Sequence, residues 1–63
     1  MSEGKKYIGE KDVSELTAIP RSTLRKYRFY GEGPAYIKIG KSVRYSLDDI
    51  HSFMESRRIE PRR

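Results

Sequence analysis

Gly31-Glu32-Gly33-Pro34 places two glycines and a proline in four consecutive residues near the middle of the chain. No helix continues through such a stretch, because proline lacks the amide donor and clashes with the preceding turn, while glycine lets the backbone reverse. The chain is thereby divided into a front part and a back part that must fold on each other. With 63 residues it forms one domain at most, and a domain of that size buries only about 60% of the surface its unfolded chain exposes. Cysteine is absent, so neither a disulfide framework nor a thiolate zinc site supplements the core.

Ahead of the break, Tyr7-Ile8 is a first apolar cluster, and Gly9 opens a helical pattern carried by Val13, Leu16 and the following Ile19. Glu10 and Asp12 stand in its first turn, where the helix dipole favours acids. A helix of about eight residues is expected. Pro20 starts a second helix, since proline is tolerated at the first helical position, and Leu24 and Tyr27 form its buried stripe as far as Gly31.

Behind the break, Tyr36-Ile37-Lys38-Ile39 and Val43-Arg44-Tyr45 are rich in β-branched and aromatic residues. Gly40-Lys41-Ser42 between them suits a short hairpin loop, so a two-stranded ribbon is predicted. Ser46 stands three residues before Asp49 in a capping-box-like arrangement, and Leu47, Ile50, Phe53 and Met54 repeat at helical spacing. Asp48 and Asp49 begin this third helix and Arg57 and Arg58 end it, as the dipole prefers. Residues 1–6 are expected to be disordered, residues 7–58 to form the domain, and residues 59–63, with Pro61, to be a frayed basic tail.

The formal net charge is +5, and its distribution is more informative than its size. Residues 1–19 and 46–63 are each close to neutral. Residues 20–45 hold Arg21, Arg25, Lys26, Arg28, Lys38, Lys41 and Arg44 against the single acid Glu32. A positive field confined in this way attracts a polyanion, and release of counterions from neutralised phosphates drives nucleic-acid binding.

The interval from Val13 to Tyr27 carries the second signal. With Leu24 as the main core residue of the second helix, Ala18 falls six positions earlier in the inter-helix turn and Ser14 ten positions earlier, at the closest approach of the helices. Both are small, as close approach requires, and the set fits a helix-turn-helix unit. An ordinary helical hairpin fits the same apolar positions, and the charge decides between them. At 100 degrees per residue, Ser22, Arg25, Lys26 and Phe29 lie opposite the Leu24 and Tyr27 stripe, with Arg21, Thr23 and Arg28 at its borders. Arg25 is the candidate for bidentate contact with guanine in the major groove, Ser22 and Thr23 for base edges or phosphates, and Lys26 and Arg28 for phosphate. Lys38, Lys41, Ser42 and Arg44 put cationic and hydrogen-bonding groups around the hairpin, which can enter a minor groove. Tyr36 and Tyr45 are read as core or core-edge residues, which argues against a stacking platform for single strands.

With these elements in order, the chain resembles the excisionase and AlpA-like family of small winged-helix proteins, relatives of the MerR DNA-binding domain. The resemblance covers about residues 7–57. Pro34-Ala35-Tyr36-Ile37-Lys38-Ile39-Gly40-Lys41-Ser42-Val43-Arg44-Tyr45 is similar to that family's wing, and Arg21-Ser22-Thr23-Leu24-Arg25-Lys26-Tyr27 to its recognition helix. The implied fold is mostly α with a small β-hairpin: a MerR-like winged helix-turn-helix of three helices and a two-stranded wing. By resemblance Arg21, Ser22, Thr23, Arg25 and Lys26 enter the major groove, and Lys41, Ser42 and Arg44 serve the wing. Tyr27 stands where the family commonly has tryptophan, Ser14 and Ala18 where alanine and glycine are usual, and Gly9 replaces a polar helix cap.

Two roles are implied for such a domain: a recombination directionality factor that bends attachment-site DNA for an integrase, or a small transcription regulator. The chain ends some five residues after its third helix, without the long dimerisation helix of MerR regulators, which favours the excisionase reading. Expected partners are therefore double-stranded DNA, an integrase, and further copies assembled head-to-tail on DNA through Phe29 or the tail from Arg57 to Arg63. A different class of function is a protein-interaction adaptor or anti-repressor whose basic face docks an acidic partner. An enzyme is not expected, nor any cofactor or metal: His51 is the only histidine, no Walker-type loop occurs, and the adjacent Asp48 and Asp49 face different directions on a helix. No apolar run approaches a membrane span and no h-region follows the N-terminus, so a cytoplasmic protein is expected, and the resemblance implies a nucleoid-associated one in a bacterial host.

Overall fold

The computed structural model describes residues 6–61. The element order is β1 (Tyr7–Ile8), α1 (Glu10–Thr17), α2 (Arg21–Tyr30), β2 (Ile37–Ile39), β3 (Ser42–Ser46) and α3 (Leu47–Ser56). The expected disorder of residues 1–6 falls, apart from Lys6, outside the described residues, as do the last two residues of the tail. Lys6 itself is tied to the fold, its carbonyl accepting from the Leu47 amide at 3.0 Å.

Local chemistry sets most of the helix ends, but α3 stops at Ser56 with no basic residue in its last turn, so Arg57 and Arg58 lie just beyond the helix they are expected to end. In α1 the Asp12 carboxylate accepts from the Gly9 amide at 3.4 Å, which is half of a capping box; glycine has no side chain to supply the other half. Pro20, expected as the first helical residue, is instead the N-cap of α2, with φ −58° and extended ψ 147°, and Gly31 follows the helix in the left-handed conformation. Ser46 caps α3, its Oγ accepting from the amides of Asp48 and Asp49 at 3.1 and 3.4 Å.

Between α1 and α2 the turn Ala18-Ile19-Pro20 is pinned by side chains. Ser14 Oγ donates to the Ile19 carbonyl at 2.7 Å, and Thr17 Oγ1 donates to the Val13 carbonyl at 2.7 Å while accepting from the Ile19 amide at 3.2 Å. Ala18 occupies the left-handed region, φ 63° and ψ 21°, and donates to the Ser14 carbonyl at 2.8 Å.

The sheet has three antiparallel strands in the order β1-β3-β2. The predicted ribbon is β2 paired with β3, Ile37 opposite Arg44 and Ile39 opposite Ser42. Ser42 therefore belongs to a strand and not to the loop. The loop is Gly40-Lys41 alone, with positive φ only at Gly40, the pattern of a type II′ hairpin turn. Tyr7-Ile8, read from the sequence only as an apolar cluster, supplies the third strand, pairing with Ser46 and Tyr45 at the base of the ribbon.

Val13, Leu24, Tyr45 and Ile50 are fully buried, one from each of α1, α2, β3 and α3, with Ile8, Ile19, Tyr27 and Val43 packed around them. Each such side chain contributes about 1.5–3 kcal/mol on burial, so the fold depends on very few groups. Phe53 meets Tyr27 edge-on with ring centroids 5.9 Å apart, joining α3 to α2. Pro34 is also buried, and Gly33 passes so close to Tyr27 that a Cβ there would lie 2.7 Å from the tyrosine Cβ. The central break thus does more than end α2: it packs against it. Leu16, expected on the inward stripe of α1, is instead 55% exposed, because the short helix turns only Val13 fully onto α2 and β3.

Candidate nucleic-acid interface

Leu24, fully buried at the centre of α2, sets the orientation of the whole helix, and the opposite face is presented to solvent. Ser22, Arg25, Lys26 and Phe29 are exposed, Arg21 is exposed at the helix start, and Thr23 and Arg28 are half-buried. The hairpin stands beside this helix. Arg21, Arg25 and Arg28 line a groove together with Lys41, Val43 and Arg44 of the wing. An adjoining groove runs between Arg25, Arg28 and Phe29 on one side and Tyr36, Lys38 and Lys41 on the other. Arg25, Arg28 and Lys41 border both.

These two grooves bring together six of the sequence-derived candidates: Arg21, Arg25, Arg28, Lys38, Lys41 and Arg44. Ser22, Thr23, Lys26 and Ser42 do not line them; Ser22 and Lys26 lie on the outward face of α2, and Ser42 on the exposed edge of the wing. Arg44 also flanks an apolar depression with Tyr7, Ile37 and Ile39, so it stands at the boundary between the basic face and the apolar side of the sheet.

An acid from outside the basic third of the sequence enters this patch. Glu10 is the first residue of α1, and its carboxylate reaches three guanidinium groups of α2. Oε1 accepts from Arg21 Nε at 2.9 Å and Arg25 Nη2 at 3.3 Å, and Oε2 accepts from Arg25 Nε at 3.3 Å and Arg28 Nη1 at 3.1 Å. The Glu10 side chain is only 11% exposed, against 50% for Arg21 and 60% for Arg25. Burial raises the Glu10 pKa, but the bonds from Arg21, Arg25 and Arg28 outweigh it, so the carboxyl titrates below its ordinary range. Three cations share one anion, and the cluster stays positive.

Arg28 carries a second duty. Its Nη1 also donates to the Tyr45 hydroxyl at 2.7 Å, and its guanidinium lies 5.7 Å from the centre of the Tyr36 ring. Burial alone would lower its pKa; the bonds to Tyr45 and Glu10 raise it instead, so the group stays charged. Glu10, Arg28 and Tyr45 thereby tie α1, α2 and β3 into one unit and hold the wing at a set distance from α2. Neither Glu10 nor Tyr45 stands out in the sequence as a member of the site. Their sequence separations from the arginines, 11 to 18 residues, exceed any helical or strand period, so no local pattern announces them.

Among the described residues no helix is long and apolar enough to cross a membrane. No curated protein and no solved structure matches the chain significantly. A family model described as a helix-turn-helix domain matches residues 7–58, a span that runs from β1 through α3 and takes in the paired helices, the wing and the basic grooves between them. The chain belongs to this helix-turn-helix domain family of DNA-binding proteins, which includes the excisionase and AlpA-like small proteins.

Proposed function

We propose that the chain is a sequence-specific, double-stranded DNA-binding architectural protein, an excisionase that binds and bends attachment-site DNA for an integrase. The observation that carries this reading is the shared border of the two grooves: Arg25 and Arg28 of α2 and Lys41 at the wing tip flank the same concave surface. With α2 in the major groove, Arg25 reads guanine, Ser22 and Thr23 reach base edges or phosphate near the helix start, and Arg21 and Lys26 hold the backbone. Lys38, Lys41, Ser42 and Arg44 then follow the adjacent minor groove, where a narrow groove concentrates negative potential. Arg28 braces the two elements and adds its charge toward phosphate. A grip on neighbouring grooves favours a duplex deformed to suit both, and the deformation energy, of order 1–6 kcal/mol, depends on sequence.

Phe29 is 82% and Tyr30 65% exposed at the end of α2. Together with the tail from Arg57 onward they are the proposed contacts between copies lying head-to-tail on DNA. A tight dimer in sedimentation without DNA would sink that arrangement.

The test is enrichment of host and mobile-element DNA fragments on the purified protein at two salt concentrations. Tandem direct repeats beside integrase-binding sites are the expected result; a lone promoter site would make the protein a transcription regulator. No enrichment at either salt would assign the basic face to an acidic protein partner, as in an adaptor or anti-repressor. Within the DNA reading, Arg25→Ala relaxes base preference, whereas Lys41→Ala weakens binding to all sequences alike and lowers the salt slope by roughly one. Equal, non-specific losses in both variants would refute the assignment of Arg25 to base readout.

A further inference from the structure

We infer that Glu10 is a specificity-determining positioning residue: it holds Arg25 in the orientation that reads a base and restrains the affinity of the arginine cluster for phosphate. The inference rests on the DNA-binding reading above. Its basis is which edge of the Arg25 guanidinium Glu10 occupies. The carboxylate takes Nε and Nη2, the side edge of the plane. Among the described residues, the end edge, formed by Nη1 and the second Nη2 proton, makes no hydrogen bond. A guanidinium has five donors in a rigid fork, so fixing one edge fixes the direction of the other. An arginine held in this way loses less side-chain entropy when it meets the paired acceptors O6 and N7 of guanine. Arg25 is 60% exposed even when held by Glu10, so without that carboxylate it would sample many rotamers and lose more side-chain entropy on meeting a base.

Charge acts in the same sense. Glu10 is ionised at neutral pH and sits among Arg21, Arg25 and Arg28. Any phosphate that approaches Arg21 or Arg25 must compete with this carboxylate and is repelled by it. Base acceptors carry no net charge and suffer far less repulsion. Glu10 therefore lowers the sequence-independent part of the affinity more than the specific part, which raises the ratio between them.

The experiment compares wild type, Glu10→Gln and Glu10→Asp on a duplex containing the enriched site and on a scrambled duplex, across a salt series. Glu10→Gln removes the charge at constant shape; it is expected to bind scrambled DNA more tightly, to steepen the salt slope by roughly one, and to lower the specific-to-scrambled ratio about tenfold. Glu10→Asp keeps the charge but retracts the oxygens by one methylene, so the salt slope stays while the ratio falls. In wild type, which needs no variant to fold, the Arg21 and Arg25 Nε–H resonances should be protected from solvent exchange both free and on the enriched site. A ratio within twofold of wild type in both variants overturns the inference while leaving the DNA-binding reading intact, and so does loss of Nε–H protection on binding. Wild-type protein that does not discriminate between the duplexes overturns both.

Discussion

Replacing Ala18 with glycine should stabilise this protein. Ala18 has φ 63° and ψ 21° and is the one non-glycine residue with positive φ among those described. For an L-residue the left-handed conformation costs about 1–2 kcal/mol, from the approach of Cβ to the following carbonyl. Glycine removes that strain but loses about 0.4–1 kcal/mol through the greater freedom of its unfolded chain. Ala18 is exposed, so little buried area leaves with its methyl group, and its amide keeps the bond to the Ser14 carbonyl. At the middle of both ranges the net gain is about 0.8 kcal/mol. At roughly 4–8 °C per kcal/mol for a domain of this size, Tm should rise by about 3–6 °C in a thermal melt followed by circular dichroism. Ala18→Val should move it the other way, because a β-branched residue tolerates positive φ worst. An Ala18→Gly variant that melts at or below wild type would refute the assignment of strain to this turn.

Gly33→Ala should be severe. Its Cβ would meet Cβ and Cδ2 of Tyr27 at 2.7 Å with φ at +83°, and Tyr27 Cβ cannot retreat without moving α2. Left-handed strain of about 1–2 kcal/mol adds to overpacking of about 1–3 kcal/mol, so Tm should fall by about 10 °C or more; a variant melting within a few degrees of wild type would show that the break does not seat on α2. Acid should loosen the helix pair. Because the folded-state pKa of Glu10 lies below its unfolded value, its contribution is complete above the unfolded value and is lost as pH falls through the folded one. Thermal melts between about pH 6 and pH 3 should therefore decline less steeply in Glu10→Gln than in wild type, and parallel declines would remove Glu10 from the acid transition.

The helix ends are legible in the sequence because they rest on chemistry within one turn of the chain. Pro20 and Gly31 bound α2, and the Ser46 hydroxyl reaches amides only two and three residues ahead. The outward face of α2 follows from Leu24 and the helical period, and the excess of positive charge follows from counting. Burial on the short α1 is less legible: Leu16 has the right spacing but projects past the partners available to it. Tyr7-Ile8 is too short to show any period, and becomes a strand only because β3 offers it an edge.

The sequence by itself determined the three helices and the hairpin, their order, the paired helices with a wing, and which side chains of α2 carry the charge. Only the tertiary structure decided what those charges meet. Glu10 belongs to a nearly neutral stretch, yet packing of Val13 against Leu24 and Tyr45 carries its carboxylate onto Arg21, Arg25 and Arg28 and fixes Arg28 against the Tyr45 hydroxyl. Those contacts depend on how α1, α2 and β3 sit relative to one another, and that geometry is set by the few fully buried side chains they share, not by the residues that exploit it.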